Sequence, residues 1–221
     1  MEFEKINQYR SIVILAIGFV LTACAVGTKD NSPHFTPPDS WRVYSVCNNR
    51  CSVFVPNSLE LRKADDAYSK RLGAAYIPDV AIFQQKGLSK QRKEKVDEHY
   101  CRVIIQSFTS NDEDLPSPTE QFPFDSEWNL VLRQLVDYEI SGWTLLSGPT
   151  YHWIDIGGRN KAIEINYQRN GNNGNTTNGT IYLLFNHNIM VKMVVAYRES
   201  EKELWIPDVK NIIYTFKWIE E

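Results

Sequence analysis

The sequence predicts an α+β domain, an antiparallel β-sheet meander with helices packed on its faces. Three observations lead there. Apolar residues recur with period two through most of the chain after Trp41, and two stretches switch to helical spacing. Those helical stretches stand between and after the runs of strands instead of alternating with them, which is the α+β pattern and not the parallel α/β one.

The elements follow in order. From Ile12 to Cys24 the chain is apolar for thirteen residues, whereas a helix crossing a bilayer needs roughly 20. That length suits the apolar core of a secretory signal, closing on the small residues of Leu21-Thr22-Ala23-Cys24. The stretch resembles a bacterial lipobox. The resemblance implies cleavage before Cys24 and acyl chains on that cysteine, each buried methylene adding about 0.8 kcal/mol to membrane attachment. Ala25 stands where an aspartate would resemble an inner-membrane retention signal, so the expected address is the cell envelope, at the outer membrane rather than the inner. Residues 1–23 are then a signal peptide. Residues 24–40, with Pro33, Pro37 and Pro38 and no apolar periodicity, read as a tether, and residues 41–221 as one domain.

In "WRVYSVCNNRCSVFVP" two short β-branched runs flank Asn48-Asn49-Arg50, hairpin chemistry with a three-residue loop. "DVAIFQQ" and "HYCRVIIQSF" form a second pair, with Cys101, Val103 and Ile105 on one face. "DSEWNLVLRQLVDYEI" is a helix: Asp125 is its N-cap, and Trp128, Val131, Leu132, Leu135 and Val136 form one apolar stripe. "YHWIDIGGRNKAIEINYQ" folds back at Gly157-Gly158. After the low-complexity loop "RNGNNGNTTNG", "TIYLLFNHNIMVKMVVAY" turns at Asn186-His187-Asn188. A closing helix starts at Pro207, a residue suited to a first helical position, and carries Val209, Ile212, Ile213 and Phe216 on one stripe.

This order of elements resembles the PsbP-like fold: the opening "WRVY…CSVFVP" hairpin, "VAIFQQKG…YCRVIIQSF", a central amphipathic helix, a long meander and the closing "IPDVKNIIYTFKW" helix. The likeness spans about Trp41 to Trp218. That fold is shared by a photosystem extrinsic protein, a Ran-binding import factor and several bacterial envelope lipoproteins. It implies an α/β/α sandwich and a mostly non-catalytic, accessory role, and it transfers no site residue by motif.

The chemistry-bearing residues are few. Cys47 and Cys51 flank the first hairpin loop and Cys101 follows on a later strand; in an oxidising envelope the alternatives are a Cys47–Cys51 bridge, a Cys51–Cys101 bridge or three thiols. Cys101 beside His99 is better explained as a small apolar core residue than as a nucleophile. His34, His99, His152 and His187 lack ligand spacing, and no hydrolase, zinc or phosphate-loop motif is present, so no cofactor or metal is expected. The basic run "KGLSKQRKEKVDEH" reads as a solvated connector and "NDED" as an acidic surface loop. A net charge of −3 carries no nucleic-acid footprint. Trp153 and Tyr167, on adjacent meander strands, are the candidates for an exposed aromatic platform.

Three functions are open at this point. The leading one is a non-catalytic, lipid-anchored envelope protein that binds another envelope protein. The others are a surface glycan-binding lipoprotein using Trp153 and Tyr167, and an enzyme with a dispersed site.

Overall fold

Trp41 is where the chain enters the folded core: its indole is buried and meets Phe35 at 5.3 Å between ring centroids. The structure, a computed structural model, describes residues 35–62, 80–87, 99–109, 124–157, 160–171 and 174–219. The lipobox with Cys24, most of the basic run and the "NDED" loop lie outside the described residues.

Among the described residues ten strands form two antiparallel sheets, and two α-helices pack with them. β1 (Arg42–Val46) and β2 (Cys51–Val55) pair as a hairpin, and β10 (Lys217–Trp218) joins them on β2. The larger sheet runs β3 (Leu59–Leu61), β4 (Val80–Gln85), β5 (Cys101–Thr109), β9 (Ile189–Arg198), β8 (Thr176–Asn186), β7 (Asn160–Asn170) and β6 (Leu145–Gly157). The expected meander is its β6-β7-β8-β9 half. β6 is an edge strand, the place where Pro149 and the irregular register between Leu145 and Thr150 are tolerated.

Each face of this sheet buries its own core, because successive side chains of a strand point to opposite faces. On one face Val103, Ile105, Val191 and Met193 pack with the small sheet and with α2 (Lys202–Val209) through Trp205 and Val209. On the other, Ile163, Ile165, Ile181 and Val194 pack with Leu132 and Val136 of α1 (Ser126–Glu139). The expected cap holds: an Asp125 carboxylate oxygen accepts the Trp128 N–H at 2.9 Å.

Four expectations are corrected. The first hairpin loop has four residues, not three: Val46 pairs with Cys51, the Arg50 N–H donates to the Cys47 carbonyl, and Cys47, Asn48 and Asn49 all take positive φ. The closing helix begins earlier than Pro207, which lies inside α2, while Ile213–Thr215 form a 3-10 turn. The upstream start follows from Glu201, whose carboxylate accepts the Trp205 indole N–H at 2.9 Å and the backbone N–H of Tyr100 at 3.0 Å, fixing α2 against the start of β5. The low-complexity loop is shorter than its composition implies, since β7 continues to Asn170 and β8 begins at Thr176. Side-chain bonds recruit its amides into the sheet, among them Gln168 Nε2 to Asn178 Oδ1 at 2.9 Å. The aromatic platform is the fourth, and it leads to the site.

Candidate functional site

Tyr167 is buried, 5% exposed, and Trp153 is half-buried; both rings belong to the core beneath α1. They form no exposed platform, because the sheet face that carries them is the one α1 covers. The same face nevertheless opens where α1 ends.

The opening is set by strand register. Arg102 on β5 lies opposite Ala196 on β9, Ala196 opposite Gly179 on β8, and Gly179 opposite Tyr167 on β7. The two middle members of this cross-sheet row are small, so a trough runs between an arginine and a tyrosine. The Tyr167 phenol lies across Gly179: a Cβ at position 179 would stand 2.1 Å from Tyr167 Cζ. The next row places Arg169 near the trough, and Tyr100 is positioned by the bond from its N–H to Glu201.

The chain leaving α1 completes the walls. Ile140 closes the helix, Gly142 takes a positive φ of 84°, and Trp143 is delivered against Arg169, whose guanidinium carbon sits 4.7 Å from the indole centroid. The Arg102 guanidinium lies 5.7 Å from the Tyr100 ring centroid. The cleft so enclosed holds about 100 Å³. Ile104, Val194 and Ala196 give it an apolar floor.

Its lining carries two arginines and one carboxylate. Glu139 reaches the cleft, but its carboxylate accepts from Lys192 Nζ at 3.0 Å, and the Lys192 side chain is only 6% exposed. That pair is close to neutral, and the Arg102 and Arg169 guanidinium groups line the cleft beside it. Burial pushes the Tyr167 phenol up, Glu139 adding to the shift and Arg169 opposing it, so the hydroxyl stays neutral. Guanidinium groups, a neutral phenol and aliphatic side chains thus line one cleft.

The cysteines stand apart from this cleft. The Cys47 and Cys51 thiols are hydrogen-bonded neighbours in the core between the two sheets, and no disulfide joins the three described cysteines. That bond to Cys47 and then burial push the Cys51 thiol up. Burial, with Glu201 and Asp208 adding to it, pushes Cys101 up as well, which suits the core residue expected and opposes a thiolate. His99 Nδ1 lies 3.5 Å from Glu201. Among the described residues no three potential metal ligands converge, and no helix is long and apolar enough to cross a membrane.

Sequence reasoning did not single out Arg102, Trp143, Arg169 or Gly179. A signal for two of them was present: Arg102 shares the parity of Ile104 and Phe108, and Arg169 that of Ile163, Ile165 and Tyr167, so each places a charge on a strand face rich in apolar residues.

No family model matches the chain, and no curated protein matches it in sequence. Solved structures do. Cyanobacterial PsbP (CyanoP) from Synechocystis sp. PCC 6803 is similar at 13% identity over 86% of this chain and 98% of that one, with a TM-score of 0.48. LpqN, involved in cell envelope biogenesis of Mycobacterium tuberculosis, shares 12% identity over 87% of this chain and 91% of its own, with a TM-score of 0.42. A protein from Bacteroides thetaiotaomicron VPI-5482 shares 9% identity over 82% of this chain, which spans 50% of it, with a TM-score of 0.42.

Proposed function

We propose that this chain is a non-catalytic, lipid-anchored envelope protein that works by holding a partner protein at the cleft beside the end of α1. The observation that carries the reading is the make-up of that cleft: Arg102 and Arg169, each stacked on an aromatic ring, around an apolar floor. Stacked arginines and aromatic residues are the side chains on which binding energy concentrates in protein interfaces. The anchor reading rests on Leu21-Thr22-Ala23-Cys24. The geometry favours a partner over a glycan, since Trp153 and Tyr167 lie beneath α1 instead of offering open ring faces.

A photo-crosslinking side chain at Leu146 tests this. Leu146 is exposed and follows Leu145, the register partner of Arg169. Irradiation of native envelopes is expected to give a product of defined mass that is lost in Arg169→Gln. Intact mass of the same preparation is expected to show cleavage before Cys24 and added acyl chains. No product, or one indifferent to Arg169, sinks the binding reading; an unmodified full-length mass sinks the anchor.

A further inference from the structure

We infer that β6 is an interface strand, through which two copies of this chain pair edge to edge and antiparallel about a two-fold axis at His152. The inference concerns the outer edge of the large sheet, not the cleft, and stands whether or not the cleft holds a partner.

Edge length singles out the strand. Among the described residues the small sheet ends in β1, with five residues, and β10, with two, and the large sheet in β3, with three, and β6, with thirteen. An edge strand directs the main-chain N–H and C=O groups of alternate residues away from its one neighbour, a template for a further strand. Of these four edges, β6 offers by far the longest row. Its regular part is residues 150–155, paired without interruption from Thr150 opposite Asn166 to Asp155 opposite Lys161. The register shifts lie on either side of that stretch, so they blunt the ends of the strand and leave its middle open to pairing.

Composition leaves the edge unguarded. Lysines and other charges commonly protect edge strands against pairing. The sequence "LLSGPTYHWIDIG" of β6 has no lysine or arginine, and Asp155 is its one formal charge. Threonine, tyrosine, tryptophan and isoleucine, four of the six residues from 150 to 155, favour extended structure. Thr150, His152 and Asp155 are exposed, and Leu146 on the same strand is 52% exposed.

Self-complementarity selects a second copy as the occupant. A two-fold interface must match its own sequence reversed. With the axis at His152, Tyr151 lies opposite Trp153 of the second copy on one face, and Thr150 opposite its Ile154 on the other. An aromatic pair and a β-branched pair thus each occur twice, combinations that stabilise antiparallel strands. The two Asp155 carboxylates fall at opposite ends of the paired stretch, so no like charges are opposed. Moving the axis one residue to Trp153 sets Asp155 against Tyr151 and His152 against Ile154, and both matched pairs are lost. An axis perpendicular to the sheet keeps α1 of both copies on the same side of one continuous sheet, so the two clefts open on that side together.

The test is sedimentation equilibrium of the full chain in detergent micelles over a range of protein concentrations, joined to amide hydrogen exchange read by mass spectrometry. The wild-type chain is expected to show a reversible rise to twice the mass of one chain. His152→Lys sets two lysines opposite each other at the axis, and like charges so placed oppose pairing, so the mass should fall to that of one chain. Val43→Lys on the edge strand β1 and Leu130→Lys on α1, both at positions 59% exposed, should leave the double mass intact. Circular dichroism checks the fold of each variant. Exchange in the wild-type chain answers the same question if His152→Lys unfolds: peptides covering β6 should exchange more slowly as protein concentration rises, and those covering β1 should not. A crosslinked product from Leu146 at twice the chain mass that survives Arg169→Gln would belong to this edge and not to the cleft. A single-chain mass at every concentration, a double mass broken by Val43→Lys in place of His152→Lys, or a double mass shared by all variants with β6 exchange unchanged overturns the inference.

Discussion

Gly179 shows how one missing side chain makes a site. Its place in "NGNNGNTTNG" has the composition of a flexible loop, yet it lies within β8 and pairs with Tyr167 and Ala196. The absent Cβ lets the Tyr167 phenol lie flat on the sheet, with 2.1 Å between the built Cβ position and Tyr167 Cζ. Gly179→Ala must therefore push a buried ring into α1's core or out over the cleft floor. Overpacking of this kind costs about 1–3 kcal/mol, so urea unfolding of Gly179→Ala should show a lowered midpoint with an unchanged slope. A midpoint equal to that of the wild-type protein would mean that the phenol does not depend on this space. The sequence could not reveal the relation, because the eleven residues between Tyr167 and Gly179 carry no sign of the strand register that brings them together. Arg102 and Arg169 were more legible, since each puts a charge on the strand face that carries Ile104 or Tyr167.

At the scale of elements, local signals were reliable where one short-range rule governed. The Asp125 cap, the stripe of α1 and the turn at Asn186-His187-Asn188 each depend on neighbouring residues, and each is present. Long-range pairing decided the rest. Ile212, Ile213 and Phe216 have helical spacing, but β10 must pair with β2, so the chain leaves α2 through a 3-10 turn and extends at Phe216. The first hairpin has a similar lesson. Register places Cys51 opposite Val46 and Cys47 in the turn, and the two thiols still meet, with Cys51 Sγ donating to the Val46 carbonyl at 3.8 Å. We propose that a disulfide oxidant, such as a dithiol oxidase in its disulfide form, converts this pair: two S–H bonds break, one S–S bond forms, and two protons and two electrons pass to the oxidant. Peptide mapping after oxidative purification should find Cys47 joined to Cys51, with a stability gain at or below about 2 kcal/mol because the closed loop is so short. A Cys51–Cys101 peptide, or full alkylation of all three thiols after such treatment, would eliminate the hairpin bridge.

Across the whole molecule, the sheet carries a core on each face, and phenols sit in both. Tyr151 and Tyr167 belong to the core beneath α1, while Tyr182, Tyr197 and Tyr214 belong to the one beneath the small sheet and α2. Burial is the largest cause of an upward shift in all five, with Glu164 adding to those of Tyr182 and Tyr214 and Glu199 to that of Tyr197. Two sides of one sheet are thereby tied to a single chemical condition: the phenols must stay protonated. An unfolded chain releases these protons near pH 10, while the folded chain retains them to higher pH. Above about pH 10 the native state therefore binds more protons than the unfolded state, and stability falls as pH rises. The contribution of the neutral phenols is complete below that pH and is lost progressively above it. Phenolate absorbance followed together with far-ultraviolet circular dichroism should resolve these tyrosines as a group that ionises only as the sheet unfolds, and lowering the pH should restore both signals together. If every tyrosine ionised in one step near pH 10 with the circular dichroism unchanged, the phenols would be solvated in the native protein, and neither Tyr167 as a buried side of the cleft nor the packing of α1 over it could stand.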